Sequence, residues 1–263
     1  MHPILNIADT AARAAGELII RALDRIDEVE IRQKGTQDIV TAMDIAAEEC
    51  IIDTIKKNYP DHSILAEESG SLGNHEYQWI IDPIDGTRNF AHGFPHFCIS
   101  IAVAHEGKIE HGLIYDPVRQ EVFSSTRGRG AYFNNRRMRV SKIITLENAL
   151  LATGFPHRDH PEKCEFYLNS LGAFLPQCDV RRGGSAALDL AYVACGRLDG
   201  FWEHGLNIWD IAAGALMVVE AGGLVGDLNA SENHLESGNI VAANAKMFKT
   251  ILQKIKPLVP KGF

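Results

Sequence analysis

The chain has 263 residues, 46% of them hydrophobic, and a formal net charge of −8. That length is enough for one large domain or two modest ones around a sizeable core, and the acidic balance excludes a globally basic nucleic-acid footprint. The cysteines Cys50, Cys98, Cys164, Cys178 and Cys195 are widely spaced, odd in number and form no C-x-x-C, which speaks against a disulfide frame or a zinc site and for reduced thiols in the cytoplasm.

The opening stretch "MHPILNIADTAARAAGE" lacks a basic n-region and a continuous apolar h-region, so it does not read as a signal peptide. No uncharged apolar run approaches the ~18–20 residues needed to cross a bilayer. A soluble cytoplasmic protein with no membrane partner is expected. The opening segment instead sets Ile4, Ile7, Ala8, Ala11, Ala15, Leu18, Ile19 and Ala22 at helical spacing, which predicts an amphipathic helix. A second helix is predicted from about 41 to 58, with Ala46, Ala47, Cys50, Ile51, Thr54 and Ile55 inward and Pro60 as a stop. Asp44 lies near its start, where an acidic residue makes an ordinary cap.

The period then changes. "SILAEES", "QWII", "FCISIAVAH", "KIEHGLIYD" and "EVFSST" are short, β-rich and punctuated by glycine, proline and charge, which predicts a meander of strands over 63–140. Within it, Arg127, Arg129, Arg136, Arg137 and Arg139 read either as a solvated hairpin or as a phosphate or RNA patch. From there the pattern alternates: strand 148–153, helix 161–174, strand 178–182, helix 185–195, strand 198–203 and helix 210–221, closed by Gly222-Gly223 as a C-cap. Strands near 224–227 and 239–242 and a helix from about 244 finish the chain. Two helices, then a sheet, then alternating elements predict stacked α and β layers in two subdomains, an α+β one over 1–145 and an α/β one over 146–263.

Acidic residues recur where apolar runs end. Glu67-Glu68 closes "SILAEES", Asp82 and Asp85 follow "WII", and Asp210 follows Trp209. If strand ends bring these together, like charges a few ångströms apart drive pKa values up unless a cation neutralises them. An all-oxygen set suits Mg²⁺, Mn²⁺ or Ca²⁺ rather than zinc. In "DPIDGT", Pro83 is expected to form a tight turn that aims Asp82, the Ile84 carbonyl and Asp85 at neighbouring sites, with Gly86 freeing the backbone and Thr87 offering a hydroxyl. Alone, D-P-x-D-G reads as a surface turn with solvated aspartates; the company of the other acidic sets points to a site.

"LAEES", "WIIDPIDGTRNF" and "NIWDIAAG" followed by "EAGG" together resemble the inositol monophosphatase family of Mg²⁺-dependent, lithium-sensitive phosphatases. The likeness runs from "KGTQDIVTAMD" through "GSAALDLAYVACGRLDGFWE" to "SGNIVAAN". It implies a mixed α/β fold, an α-β-α-β-α sandwich, and a homodimer that hydrolyses a small phosphate ester such as inositol 1-phosphate. It implies that Glu67, Asp82 and the Ile84 carbonyl hold one Mg²⁺, that Asp82, Asp85 and Asp210 hold a second, and that a looser third ion sits near Glu67, with Mn²⁺ as a substitute. Asp44 and Thr87 match the pair that activates water, beside Glu67. Lys34 is either a tuning charge or a loop lysine. Substrate contacts fall on Asp85, Gly86, Thr87, Gly184, Ser185, Ala186, Glu203 and Asp210; Ser185 reads equally as a helix N-cap.

One departure bears on specificity. After "DGT" the commonest family form carries Thr or Val, and this chain has Arg88. A basic residue there also occurs in relatives acting on other monoesters, so fructose 1,6-bisphosphate, an adenosine bisphosphate and histidinol phosphate stay open beside inositol 1-phosphate. So does a role as a transcription or RNA-processing partner, since bacterial relatives can serve there. The pairs His92/His96 and His157/His160 read as loop residues rather than ligands. Neither the glycine-rich stretches nor the serines match nucleotide-cradle or nucleophile-elbow spacing.

Overall fold

Period-2 alternation along the central strands sets the architecture, because successive side chains feed opposite cores. The computed structural model describes residues 2–25, 31–34, 38–155 and 164–259, with backbone alone at 31–34 and 38–41. Helix α1 (Pro3–Leu23), the hairpin of β1 (Ile31–Lys34) and β2 (Asp38–Thr41), and helix α2 (Ala42–Asn58) come first. An eight-stranded sheet follows, built from β3 (Ser63–Ala66), β4 (Gly70–Leu72), β5 (Tyr77–Asp85), β6 (Cys98–His105), β7 (Lys108–Asp116), β8 (Glu121–Thr126), β9 (Gly130–Phe133) and β10 (Arg136–Arg137). Its order is β10-β9-β8-β7-β6-β5-β3-β4, and only the β3–β5 pair is parallel. Helix α3 (Thr87–Ala91) is a short turn directly after β5.

The second sheet takes β11 (Leu150–Thr153), β12 (Asp179–Arg181), β13 (Gly200–Glu203), β14 (Leu224–Gly226) and β15 (Ile240–Ala243) in the order β12-β11-β13-β15-β14. Helices α4 (Cys164–Phe174), α5 (Ala186–Ala194), α6 (Ile208–Glu220) and α7 (His234–Ser237) connect its strands, and α8 (Ala245–Ile255) follows the last of them.

The layers follow from which core each residue joins. On the large sheet Trp79, Ile81, Ile99, Ile101, Val103 and Leu113 meet α1 and α2 in one core. Their neighbours Ile80, Ala102, Ile114 and Phe123 point the other way, into a core shared with α5 and α6. Phe201, Ile240 and Ala242 of the second sheet close that shared core, while Trp202, Val241 and Ala243 face α4 and α8. The result is the α-β-α-β-α sandwich, with α5 and α6 as its filling. Helix α6 is buried without a break from Ile211 to Val218, as a helix between two sheets must be.

The elements expected from sequence are largely where the spacing puts them, and three differences are informative. Pro83 does not turn the chain: β5 runs on through Asp82-Pro83-Ile84-Asp85. Proline lacks the N–H that a ladder needs, but a bulged position asks for none. The hairpin β1–β2 and the short α7 have no distinct pattern in the sequence. The helix expected over 161–174 is described from Cys164 onward, and His157 and His160 lie outside the described residues. All five cysteines are free. Of the basic stretch, Arg127 and Arg129 lie in the turn between β8 and β9, Arg136 and Arg137 form β10, and Arg139 follows it.

Tight approach of α6 to the large sheet rests on Gly112 in β7, where a Cβ would stand 2.9 Å from the Ala213 carbonyl oxygen and 3.0 Å from its Cα. Backbone cannot yield as a side-chain tip can. Gly112→Ala is therefore expected to cost about 1–3 kcal/mol, measured as a lower thermal midpoint. Gly172→Ala, in an exposed turn of α4 with open space around it, is expected to raise stability by roughly 0.5–1 kcal/mol.

Candidate active site

In a regular strand, residues three apart point to opposite faces. Asp82 and Asp85 escape this because β5 bulges: Asp82 pairs with Ser100 and Asp85 with Cys98, so three steps on β5 match two on β6. The extra residue swings both carboxylates to one side. Asp210, in the first turn of α6, comes to meet them, and one oxygen from each of Asp82, Asp85 and Asp210 lies within 4.8 Å of the others. Helix α6 is held in that position by the Ser100 hydroxyl, which donates to the Trp209 carbonyl at 3.1 Å. The Asp210 carboxylate accepts from the Asn207 N–H at 2.7 Å, capping its own helix.

Glu67 follows β3, its N–H donating to the Ile81 carbonyl at 3.2 Å, one residue from Asp82 on the neighbouring strand. It stands outside the 4.8 Å triad, yet its charge is the strongest acting on Asp82. The turn that carries it is pinned by buried Glu48, whose two carboxylate oxygens accept from the N–H groups of Glu68 and Ser69 at 2.8 Å each. One turn before Glu48 on the same face of α2 is Asp44, 1% exposed. The Thr87 hydroxyl is 3.2 Å from an Asp44 oxygen and 3.0 Å from the Ile84 carbonyl. Its single proton can serve only one of them at a time. Gly86, at φ 100°, makes this turn, and a Cβ there would crowd the His96 and Gly184 carbonyls at 3.1 and 3.3 Å.

Gly184, Ser185 and Ala186 lead into α5, as expected, but the anion at that helix N-terminus is Asp85. The Ser185 hydroxyl and the Ala187 N–H both donate to Asp85 Oδ2, at 2.6 and 2.7 Å. The carboxylate is thereby fixed in place from the α5 side. Glu203 ends β13 and lies over Gly154, where a Cβ would overlap its carboxylate. Arg88 is in α3, and the Lys34 side chain lies outside the described residues.

The electrostatics follow from burial. Asp82 is 2% exposed, and desolvation, then Glu67, Asp85, Asp210 and Asp44, hold its carboxyl well above the usual range. Desolvation lifts Asp85 to about 6 against the opposing hydrogen bonds from Ser185 and the α5 backbone. Desolvation and the Asp85 charge lift Asp210 to about 7. Glu203 is raised by burial and then by Asp189, Asp210 and Asp85. A divalent cation among these oxygens would remove the penalty, and the donors, carboxylates with a carbonyl nearby, suit a hard cation.

Sequence reading missed the groups that hold the site in shape. Glu48 was findable, four residues from Asp44 on a helix face with no other reason to be acidic. Asn89, whose amide donates to the His96 and Gly183 carbonyls at 2.7 and 3.0 Å, and Ser100 carry no signal of their own; their partners are distant in sequence.

These carboxyls bind protons more tightly in the folded chain than in the unfolded one, so they favour folding at low pH and this contribution is lost as pH rises from about 4 through about 7. Thermal midpoints of chelated protein should therefore fall over that window, on the order of 5 °C. Asp82→Asn should flatten the fall, and Mg²⁺ should stabilise more at pH 8 than at pH 5. An unchanged slope in Asp82→Asn would mean that the cluster does not govern it.

Known proteins match this chain along its length. The profile of the inositol monophosphatase family matches residues 1–259. Nus factor SuhB of Pseudomonas aeruginosa is 52% identical, over 99% of this chain and 98% of its own. The crystal structure of extragenic suppressor protein suhB from Bartonella henselae superposes with a TM-score of 0.93 at 41% identity, covering 99% of each chain. Inositol monophosphatase from Anabaena (Nostoc) superposes with a TM-score of 0.86 at 40% identity, covering 98% of this chain and 97% of its own. The bulged strand, the convergent aspartates and these matches together establish that the chain belongs to the inositol monophosphatase family.

Proposed function

We propose that this protein is a Mg²⁺-dependent phosphomonoesterase whose first substrate to test is inositol 1-phosphate, among small polyol and sugar monophosphates. The observation that carries the reading is the convergence of Asp82, Asp85 and Asp210 to within 4.8 Å in a setting that penalises their charge. Glu67, Asp82 and the Ile84 carbonyl would hold one cation and Asp82, Asp85 and Asp210 a second, with a third near Glu67; Mn²⁺ would substitute. When bound, such ions lower the pKa of water and offset charge on the phosphate oxygens.

The chain's own groups supply the rest. Thr87, with Asp44 as the acceptor for its proton, orients the attacking water and passes a proton from it toward the Asp44 carboxylate. Ser185 and the α5 N-terminus fix one oxygen of Asp85, so that its second oxygen is aimed without rotameric freedom. Glu203, at the end of β13, accepts hydrogen bonds from polyol hydroxyls, with Gly184 and Ala186 forming the wall beside it. Arg88, in α3 next to Thr87, selects among esters by its positive charge. A homodimer in the cytoplasm completes the proposal.

Asp82→Asn and Asp210→Asn are each expected to lower kcat by at least about a hundredfold while the protein stays folded, and Thr87→Ala by roughly 10²–10⁴-fold. Phosphate release from a panel of esters, with and without chelator, measures this; no release from any ester would end the phosphatase reading. In Arg88→Thr, the ratio of kcat/KM for fructose 1,6-bisphosphate, an adenosine bisphosphate or histidinol phosphate to that for inositol 1-phosphate should drop.

A second reading is favoured by one observation: a relative at 52% identity is named a Nus factor. Under it the chain would bind transcription or RNA-processing factors independently of turnover. Co-purification of such factors by Asp82→Asn as efficiently as by wild type would support it; failure of both to bind any would remove it.

A further inference from the structure

Arg129 is an exposed basic residue in the turn between β8 and β9. Arg127 donates to the Ile109 carbonyl at 2.8 Å and pairs with Glu110 at 3.3 Å. Arg137 lies over Gly130, and Arg139 donates to the Met138 carbonyl at 2.9 Å. The Arg129 guanidinium is exposed and, among the described residues, has no ion pair or hydrogen bond. It borders a cavity of about 570 Å³ between the start of α1 and strands β8 and β9, a size that suits a small-molecule ligand.

The walls of this cavity are chemically one-sided. Besides Arg129 they include His2, Ser124, Thr126, Tyr132 and Asn135, and no carboxylate, in a chain whose net charge is −8. Ser124 is 5% exposed and shares the α1-facing side of β8 with Val122; no described residue accepts from or donates to its hydroxyl. Its oxygen opens on the cavity rather than being sealed in protein, so its proton is available to an anion bound there. The N-terminus of α1, a 21-residue helix with no acidic residue in its first turn, opens on the same space and contributes the positive end of its dipole. The ring of His2 stacks on His111 at 4.3 Å. Burial above all, with smaller contributions from His2 and Arg129, pushes His111 down to about 4.

We propose that this cavity is a second binding site, for a small phosphate or carboxylate anion, with Arg129 as the charged partner and Ser124 and Thr126 as hydroxyl donors. It shares no residue with the carboxylate cluster, and β8 lies three strands from β5 in the sheet, about 14 Å away at ordinary strand spacing. The half-enclosed shape favours a compact anion over a polyanion laid along a surface. The proposal does not depend on the phosphatase reading.

Chelated wild-type protein should be titrated with inorganic phosphate and, separately, with citrate, by calorimetry. Without cations the acidic cluster repels both, so heat reports the second site. Saturable binding of either anion, weakened roughly tenfold or more in Arg129→Ala and also in Ser124→Ala, is the expected result, and the anion that binds identifies the class. Wild-type thermal midpoints in both variants would show that the loss is local. Absence of saturation by both anions, or binding indifferent to Arg129→Ala, would overturn the proposal. So would Arg129-dependent binding of a single-stranded RNA oligomer alone, which would assign the arginine to a polyanion surface.

Discussion

Mutual repulsion among buried carboxylates is the constraint around which this molecule is arranged. Left to themselves, Asp82, Asp85, Asp210 and Glu67 would separate, or take up protons, to relieve it. The fold prevents separation by attaching each to a rigid element already committed elsewhere: a bulged strand shared by two cores, a strand end one register away, and a helix wedged between two sheets. It prevents random reorientation by spending backbone N–H groups on them. Asp85 faces the α5 N-terminus, Asp210 faces its own helix start, and Glu48 holds the turn that bears Glu67. What remains, at Asp82, Asp85 and Asp210, is a set of positioned oxygens whose charge is penalised by burial and by one another, which is the preparation a cation site requires.

The same arrangement explains why small residues are found where they are. Gly112 allows α6 to lie on the large sheet, and Gly86 allows the chain to leave β5 between the His96 and Gly184 carbonyls. Both set how near Asp210 and Thr87 come to the strand that bears Asp82.

Much of this was legible in the sequence, and for identifiable reasons. Helical and strand periods located the major elements because the outer helices bury one regularly spaced apolar face and the strands feed apolar cores by alternation, and Asp82, Asp85 and Asp210 stood out because each breaks an apolar run at an element's end. The bulge was not legible. Pro83 argues locally for a turn, and only the pairing of β5 with β6 shows that the strand absorbs an extra residue instead. Nor could the sequence show that the anion waiting at the α5 N-terminus is Asp85, since the Ser185 contact closes a loop of 100 residues. The roles of Asn89 and Ser100 depend on the distant Gly183 and Trp209 carbonyls, whereas Glu48 is marked by its period, one turn after Asp44 on α2.

Helices α5 and α6 have a consequence for how the chain comes to be folded at all. They follow the entire large sheet in the chain, yet they cover the face formed by Ile80, Ala102, Ile114 and Phe123. A ribosome that has released only the first sheet has therefore released a greasy, uncovered slab lacking its last aspartate. The slab stays sticky until the later helices dock upon it, so the step that shields it from aggregation is also the step that assembles its chemistry.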